Sequence, residues 1–217
     1  MNQVVAVVGG TGQLGAALAW RLAKSGRRVI IGSRSAESAR HAAARLGHGL
    51  TGASNAAAAA AATLVIVTVP FAAQDATLAE IAPQVAGKIV VDTTVPLMPP
   101  RVMRVQLPPD GSAALRAQRL LGEGVTVASA FHNVAAHRLA TDQPVACDVL
   151  VFADDKAARA AVVDLVAACG LRGLHGGPLA NSTAAEAMTS VLIFLNKAYG
   201  VDGAGLQVTG AFTKTPE

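Results

Sequence analysis

Gly10-Thr11-Gly12-Gln13-Leu14-Gly15 sets three glycines at the spacing G-x-G-x-x-G. The chemistry this spacing serves is the grip of a pyrophosphate. The first glycine makes a tight turn, the second lets the backbone approach the anion, and the third lets a helix pack closely on a strand. The N–H groups and partial positive charge of the following helix N-terminus then face the phosphates. The motif carries weight where it leaves a strand and opens a helix. Val4 to Val8 before it is a continuous apolar run, and Ala16 to Lys24 after it reads as a helix ended by Gly26. Both conditions hold, so the segment predicts a dinucleotide site.

A second chemical group sits at the end of the next predicted strand, Val29 to Ile31, in Gly32-Ser33-Arg34. An NAD site usually carries Asp or Glu there, roughly 20 residues past the glycines, to bind the ribose 2′-hydroxyl. Here no carboxylate occurs until Glu37. A hydroxyl and a guanidinium suit a 2′-phosphate, because arginine bonds it bidentately and offsets its charge. The pattern predicts NADP, with Arg40 adding a second positive charge from the following helix.

The elements that must hold these groups follow a regular alternation. Short apolar runs at Val4 to Val8, Leu64 to Val69, Lys88 to Asp92, Val125 to Ala130 and Val149 to Phe152 suit strands buried on both faces of a parallel sheet. Helices are predicted between them at Ala36 to Leu46, Ala72 to Ala82, Leu115 to Leu121 and Lys156 to Cys169. Asn55 to Ala62 is almost pure alanine and predicts a short helix with no further meaning. Pro96 to Pro109 reads as a long connection. This alternation predicts an α/β fold, a doubly wound and mostly parallel Rossmann sheet. Leu171 to His175 would be its last strand, and Gly176, Gly177 and Pro178 would break the chain. A dinucleotide-binding domain over residues 1–176 is therefore expected. Residues 177–217 would form a small C-terminal helical portion around a long apolar helix, Asn181 to Tyr199. That helix offers a face to a second copy, so a homodimer is expected.

The chain has 217 residues, of which 52% are hydrophobic, 15% charged and 3% aromatic. That composition excludes a disordered chain. Cys147 and Cys169 lack metal-ligand spacing and fit a reducing cytoplasm. No apolar stretch reaches the about 18 to 20 residues that span a bilayer, and no secretion signal opens the chain. The net charge of +4 lacks the dense basic runs and aromatic platforms of nucleic-acid binders. An anionic small ligand accounts for it better.

The catalytic inventory is thin. A dehydrogenase acting on alcohols or imines needs a proton donor near the transferred hydride. Tyr199 lies near the C-terminus, and no lysine sits in a short-chain pattern with it. Of five histidines, His132 follows a strand and is the one polar candidate for the ligand crevice. Hydride transfer between two redox cofactors, by contrast, needs mainly alignment of two rings in an apolar site. Val69-Pro70-Phe71, Val95-Pro96-Leu97 and Gly177-Pro178-Leu179 suit such a site.

With these residues assembled, the chain resembles the NADPH:F420 oxidoreductase family. The resemblance is carried by Val8 to Gly15, Gly32-Ser33-Arg34, Thr68-Val69-Pro70-Phe71, Ser129-Ala130-Phe131-His132-Asn133, and Gly177 to Ser182 with Glu186. It implies an enzyme that exchanges hydride between NADPH and the deazaflavin coenzyme F420. It places Thr11, Gln13 and Leu14 by the phosphates, Ser33 and Arg34 on the 2′-phosphate, and Pro70 and Phe71 by the nicotinamide. His132 and Asn133 would contact the deazaflavin, with Pro178 and Leu179 nearby. Two other functions fit the residues: an NADP-dependent reductase of a small imine or ketone, with His132 as donor, and a non-catalytic NADP sensor.

Overall fold

A computed structural model describes residues 3–214. The strands are β1 (Val4–Val8), β2 (Arg28–Ser33), β3 (Thr51–Ser54), β4 (Leu64–Val67), β5 (Ile89–Asp92), β6 (Thr126–Ser129), β7 (Asp148–Phe152) and β8 (Arg172–Gly177). The helices are α1 (Gln13–Lys24), α2 (Ala36–Leu46), α3 (Asn55–Ala61), α4 (Gln74–Ile81), α5 (Ala113–Leu121), α6 (Ala136–Leu139), α7 (Lys156–Ala168) and α8 (Ser182–Tyr199). The sheet order is β3-β2-β1-β4-β5-β6-β7-β8. All pairings are parallel except β6 with β7, which meet at the single pair Ser129 and Phe152. The doubly wound, mostly parallel sheet is thus the one expected.

Side-chain alternation explains the two layers. Val5, Val7, Leu64 and Ile66 face one side, where they pack with Leu18 and Leu22 of α1. Ala6, Val8, Val65 and Val67 face the other, against α3, α4 and α5. Each strand is apolar on both faces because helices cover both. The chain reverses direction across the sheet between β1 and β4. In such sheets the crevice for ligands opens at that point, above the carboxyl ends of the strands.

Three local departures from the sequence reading have simple causes. The edge strand β3 was not expected, since Thr-Gly-Ala-Ser offers no apolar run. Its Gly52 lets α2 sit directly on the strand: a Cβ there would collide with the Ala39 and Arg40 backbone. The four-residue α6 is too short for a periodic signal. Finally, β8 runs on through Gly176 and Gly177, with the Phe152 ring occupying the space a side chain at Gly176 would take. The chain turns only at Pro178.

The long helix α8 is held by polar groups as well as by Ala185 and Leu192. Its buried residues include Ser182, Glu186 and Ser190. The Glu186 carboxylate accepts the Ala113 and Ala114 N–H groups at 2.6 and 3.1 Å, and so caps the start of α5. Beyond α8 the tail returns along β7: Asp148 N donates to Leu206 O at 2.7 Å, and Val208 N to Asp148 Oδ2 at 2.6 Å.

Burial pushes the Glu186 carboxyl up to about 8 from its ordinary 4.5, against the pull of its two N–H donors, and the Asp92 charge adds to the rise. Between about pH 4.5 and 8 the folded state therefore holds a proton that the unfolded chain has released. Stability is lost as pH rises through that window. We expect the urea midpoint of the wild type, measured relative to Glu186→Gln, to fall between pH 5 and pH 8. Parallel pH dependence of the two proteins would contradict this ionisation.

Candidate functional site

The loop between β1 and α1 is held by three backbone bonds. Gly10 N donates to Gly32 O at 2.9 Å, Gly12 N to Gly9 O at 3.1 Å, and Ala16 N to Gly12 O at 2.8 Å. Gly9 has φ +72°, in the left-handed region that glycine tolerates. Gly15 is buried, and a Cβ on it would lie 2.7 Å from Gly10 Cα and closer still to Thr68 Oγ1. The helix can approach β1 and β4 this closely only with hydrogen at that position.

Helix α1, like α4, α6 and α8, starts without a side-chain cap. Ser35, Ser54, Ser112 and Asp155 cap α2, α3, α5 and α7 through their side chains. The N-cap of α1 is Gly12, which has no side chain to offer, and its first turn holds no acid. Among the described residues, no protein acceptor meets the N–H groups of Thr11, Gln13 and Leu14. An uncapped helix N-terminus retains its donors and its partial positive charge for an anion.

A cleft of about 290 Å³ opens above the carboxyl ends of β1, β2 and β4, with Thr11, Gly12, Ser33, Arg34, Val69 and Pro70 in its walls. Ser33 is nearly buried and its Oγ accepts Ser35 N. Arg34 is exposed and has no carboxylate partner among the described residues. Asn55, Thr68 and Thr77 complete the walls. The sequence reading gave those three no cofactor role.

The remaining expected residues are distributed more widely. Gly10 and Gly15 form the buried floor beneath the loop. Leu14 packs against the core. Gln13 lines a separate cavity of about 390 Å³ with Trp20, Arg45 and His137. Arg40 is exposed on α2 and is not part of the cleft wall. Phe71 opens a 3₁₀ turn after Pro70, with the Arg116 guanidinium 5.4 Å over its ring. Arg116 is itself paired with Asp75, and Arg119 with Asp110.

His132 and Asn133 lie on a turn after β6 that α8 holds in place. Thr189 Oγ1 donates to His132 O at 3.0 Å, and Asn133 Nδ2 donates to Ala185 O at 2.9 Å. The turn is strained, since the buried Phe131 has φ +66°. His132 is 7% exposed, and its Nε2 lies 2.7 Å from Ser129 Oγ. Burial pushes its pKa down to about 3, so the ring is neutral near pH 7. Pro178 is exposed at the end of β8. Leu179, expected near the deazaflavin, is 1% exposed and packs in the core layer.

Comparison with known proteins gives a consistent answer. The family model described as NADP oxidoreductase, coenzyme F420-dependent, matches residues 4–96. The F420-dependent NADP reductase of Methanothermobacter thermautotrophicus is 41% identical over 222 residues, covering 96% of each chain. That of Methanocaldococcus jannaschii is 37% identical, covering 94% of this chain and 97% of its own. A crystal structure from Arthrobacter sp. FB24, of a protein proposed as an F420 dependent NADP-reductase, aligns with TM-score 0.83 and 26% identity over 96% of this chain and 99% of that one. Full-length likeness at this identity, joined to an open helix N-terminus and a Ser-Arg pair in one cleft, places the chain in the F420-dependent NADP oxidoreductase family.

Proposed function

We propose that this protein transfers hydride between NADPH and coenzyme F420. The observation that carries the reading is the cleft that joins the uncapped N-terminus of α1 to Ser33 and Arg34, in a chain whose full-length relatives are F420-dependent NADP reductases. The cleft fits the dinucleotide on its donor chemistry. Thr11, Gln13 and Leu14 bring free N–H groups to a pyrophosphate. Ser33 and Arg34 bring to the 2′-phosphate a hydroxyl and a guanidinium that has no carboxylate partner among the described residues. Val69 and Pro70 supply an apolar wall toward the nicotinamide, with Phe71 held behind them by Arg116.

NADP and F420, when bound, supply the two redox rings between which the hydride passes. The chain's own work is alignment and exclusion of water. In this reading the deazaflavin ring lies against the turn at His132 and Asn133 and the chain at Pro178. Leu179 supports it from the core. His132, buried and neutral near pH 7, is a poor acid, so in this reading the proton that accompanies the hydride is exchanged with solvent. The same fact disfavours reduction of a small imine or ketone, which needs His132 as an acid. The relatives' names also disfavour a non-catalytic sensor.

In this reading residues 1–176 bind NADPH, and the portion from Gly177 onward closes the second pocket. The exposed Met188, Val191 and Phe194 on α8 suit a homodimer contact. No helix among the described residues is long and apolar enough to cross a membrane. Buried free cysteines accord with a cytoplasmic setting.

Mixing the protein with NADPH and oxidised F420 is expected to bleach the deazaflavin absorbance. Absence of bleaching despite NADPH binding would overturn the second substrate. Arg34→Ala removes charge-assisted bonds and is expected to raise KM for NADPH by about 10- to 100-fold, with kcat at saturation nearly unchanged. An unchanged KM would remove Arg34 from the site. In a pH–rate profile between 5 and 8, His132→Asn is expected to leave the shape intact. A step near pH 6 to 7 that this variant abolishes would instead make His132 the proton donor.

A further inference from the structure

Asn55 opens α3, whose other residues are all alanine, and its side chain is 2% exposed. A buried amide must find partners for both ends or cost stability. Capping does not explain it, because Ser54 Oγ already accepts Ala57 N and caps the helix. Instead the amide bridges two distant segments. Its Oδ1 accepts Gly9 N–H at 3.3 Å, and its Nδ2 donates to Glu80 Oε2 of α4 at 3.1 Å. The two ends are chemically unequal. A backbone N–H only donates and a carboxylate only accepts, so the pair fixes which way the amide points.

Gly9 is the pivot of the phosphate loop. Its positive φ directs the chain out of β1, and its carbonyl accepts Gly12 N. Gly10 beside it is anchored to β2 through Gly32 O. The loop thus has one anchor on β2, one within itself, and one on Asn55, which also walls the cleft. The Gly9 N–H is already spent on Asn55. The donors left for an anion are those of Thr11, Gln13 and Leu14.

We propose that Asn55 is a positioning residue for the dinucleotide phosphates, and that Glu80 sets the direction of its amide. The inference rests on the NADPH reading above. Asn55 acts through Gly9 and touches no reacting atom. It holds the loop in its binding shape before the cofactor arrives, which lowers the ordering cost of binding. Its effect therefore falls on NADPH affinity and not on hydride transfer.

The test is calorimetric titration of the full-length protein with NADPH, joined to steady-state kinetics and thermal melts. Asn55→Ala is expected to raise Kd and KM for NADPH by about tenfold, the loss of one or two buried hydrogen bonds. Saturated kcat and KM for F420 should stay within about twofold of the wild type by the same reasoning. Asn55→Asp puts two carboxylates face to face and should bind NADPH more weakly still. The double variant Asn55→Asp with Glu80→Gln restores a donor–acceptor pair and should recover part of that loss. Glu80 is exposed, so Glu80→Ala leaves the core intact and decides the matter if Asn55→Ala does not fold; it should raise the NADPH Kd about threefold. An unchanged NADPH Kd in a folded Asn55→Ala protein, or in Glu80→Ala, overturns the proposal alone. A uniform fall of every kinetic constant with the melting temperature, without rescue by the double variant, also overturns it. A wild type that binds no NADPH overturns the functional reading and the proposal with it.

Discussion

The close approach of α1 to the carboxyl ends of β1 and β4 is the constraint on which the site depends. It requires hydrogen in place of a side chain at Gly15, and it brings an uncapped helix N-terminus to the point where the sheet reverses direction. Four other helices satisfy their first N–H groups with Ser or Asp side chains. At α1 the N-cap is Gly12, which forgoes only about a few tenths of a kcal/mol relative to such a cap, and the donors stay available for an anion. Arg34 repeats the theme at the end of β2: among the described residues its guanidinium has no carboxylate partner and is left for a phosphate.

The second half of the site is organised by α8. Its buried face carries Ser182, Glu186 and Ser190, and its bonds run to two segments, the start of α5 and the turn after β6. Glu186 caps α5, Ser182 Oγ bonds Ser112 Oγ at 2.9 Å, and Thr189 with Ala185 holds the turn that carries His132 and Asn133. These bonds over-determine a turn that contains the strained Phe131, which is how such a conformation persists. The resulting environment is dry, and in it His132 stays neutral. An enzyme that aligns two rings needs no ionisable donor of its own, whereas one that reduces imines does.

Much of this was legible in the sequence because the signals are local. Val4 to Val8 and Leu64 to Val69 read as buried parallel strands, since both faces meet helices. The glycine spacing and Ser33-Arg34 gave the cleft's anion chemistry. What escaped depended on partners far along the chain. The strand β3 exists because it pairs with β2 and lies under α2, not because Thr-Gly-Ala-Ser favours strand. Asn55 looked like the first letter of an alanine helix; its importance comes from Gly9, 46 residues away, and Glu80, 25 residues away. His132 could be placed near the crevice, but its burial and its neutrality come from the packing of β7 and α8. Leu179 sat inside a family-like motif, yet its side chain faces the core.

A crystal structure of the protein with NADP tests the central claim most directly. The account predicts the pyrophosphate over the Thr11, Gln13 and Leu14 N–H groups, and the 2′-phosphate within hydrogen-bond distance of Ser33 Oγ and the Arg34 guanidinium. A dinucleotide seated elsewhere, with the α1 N-terminus left to solvent and Arg34 turned away, would contradict it.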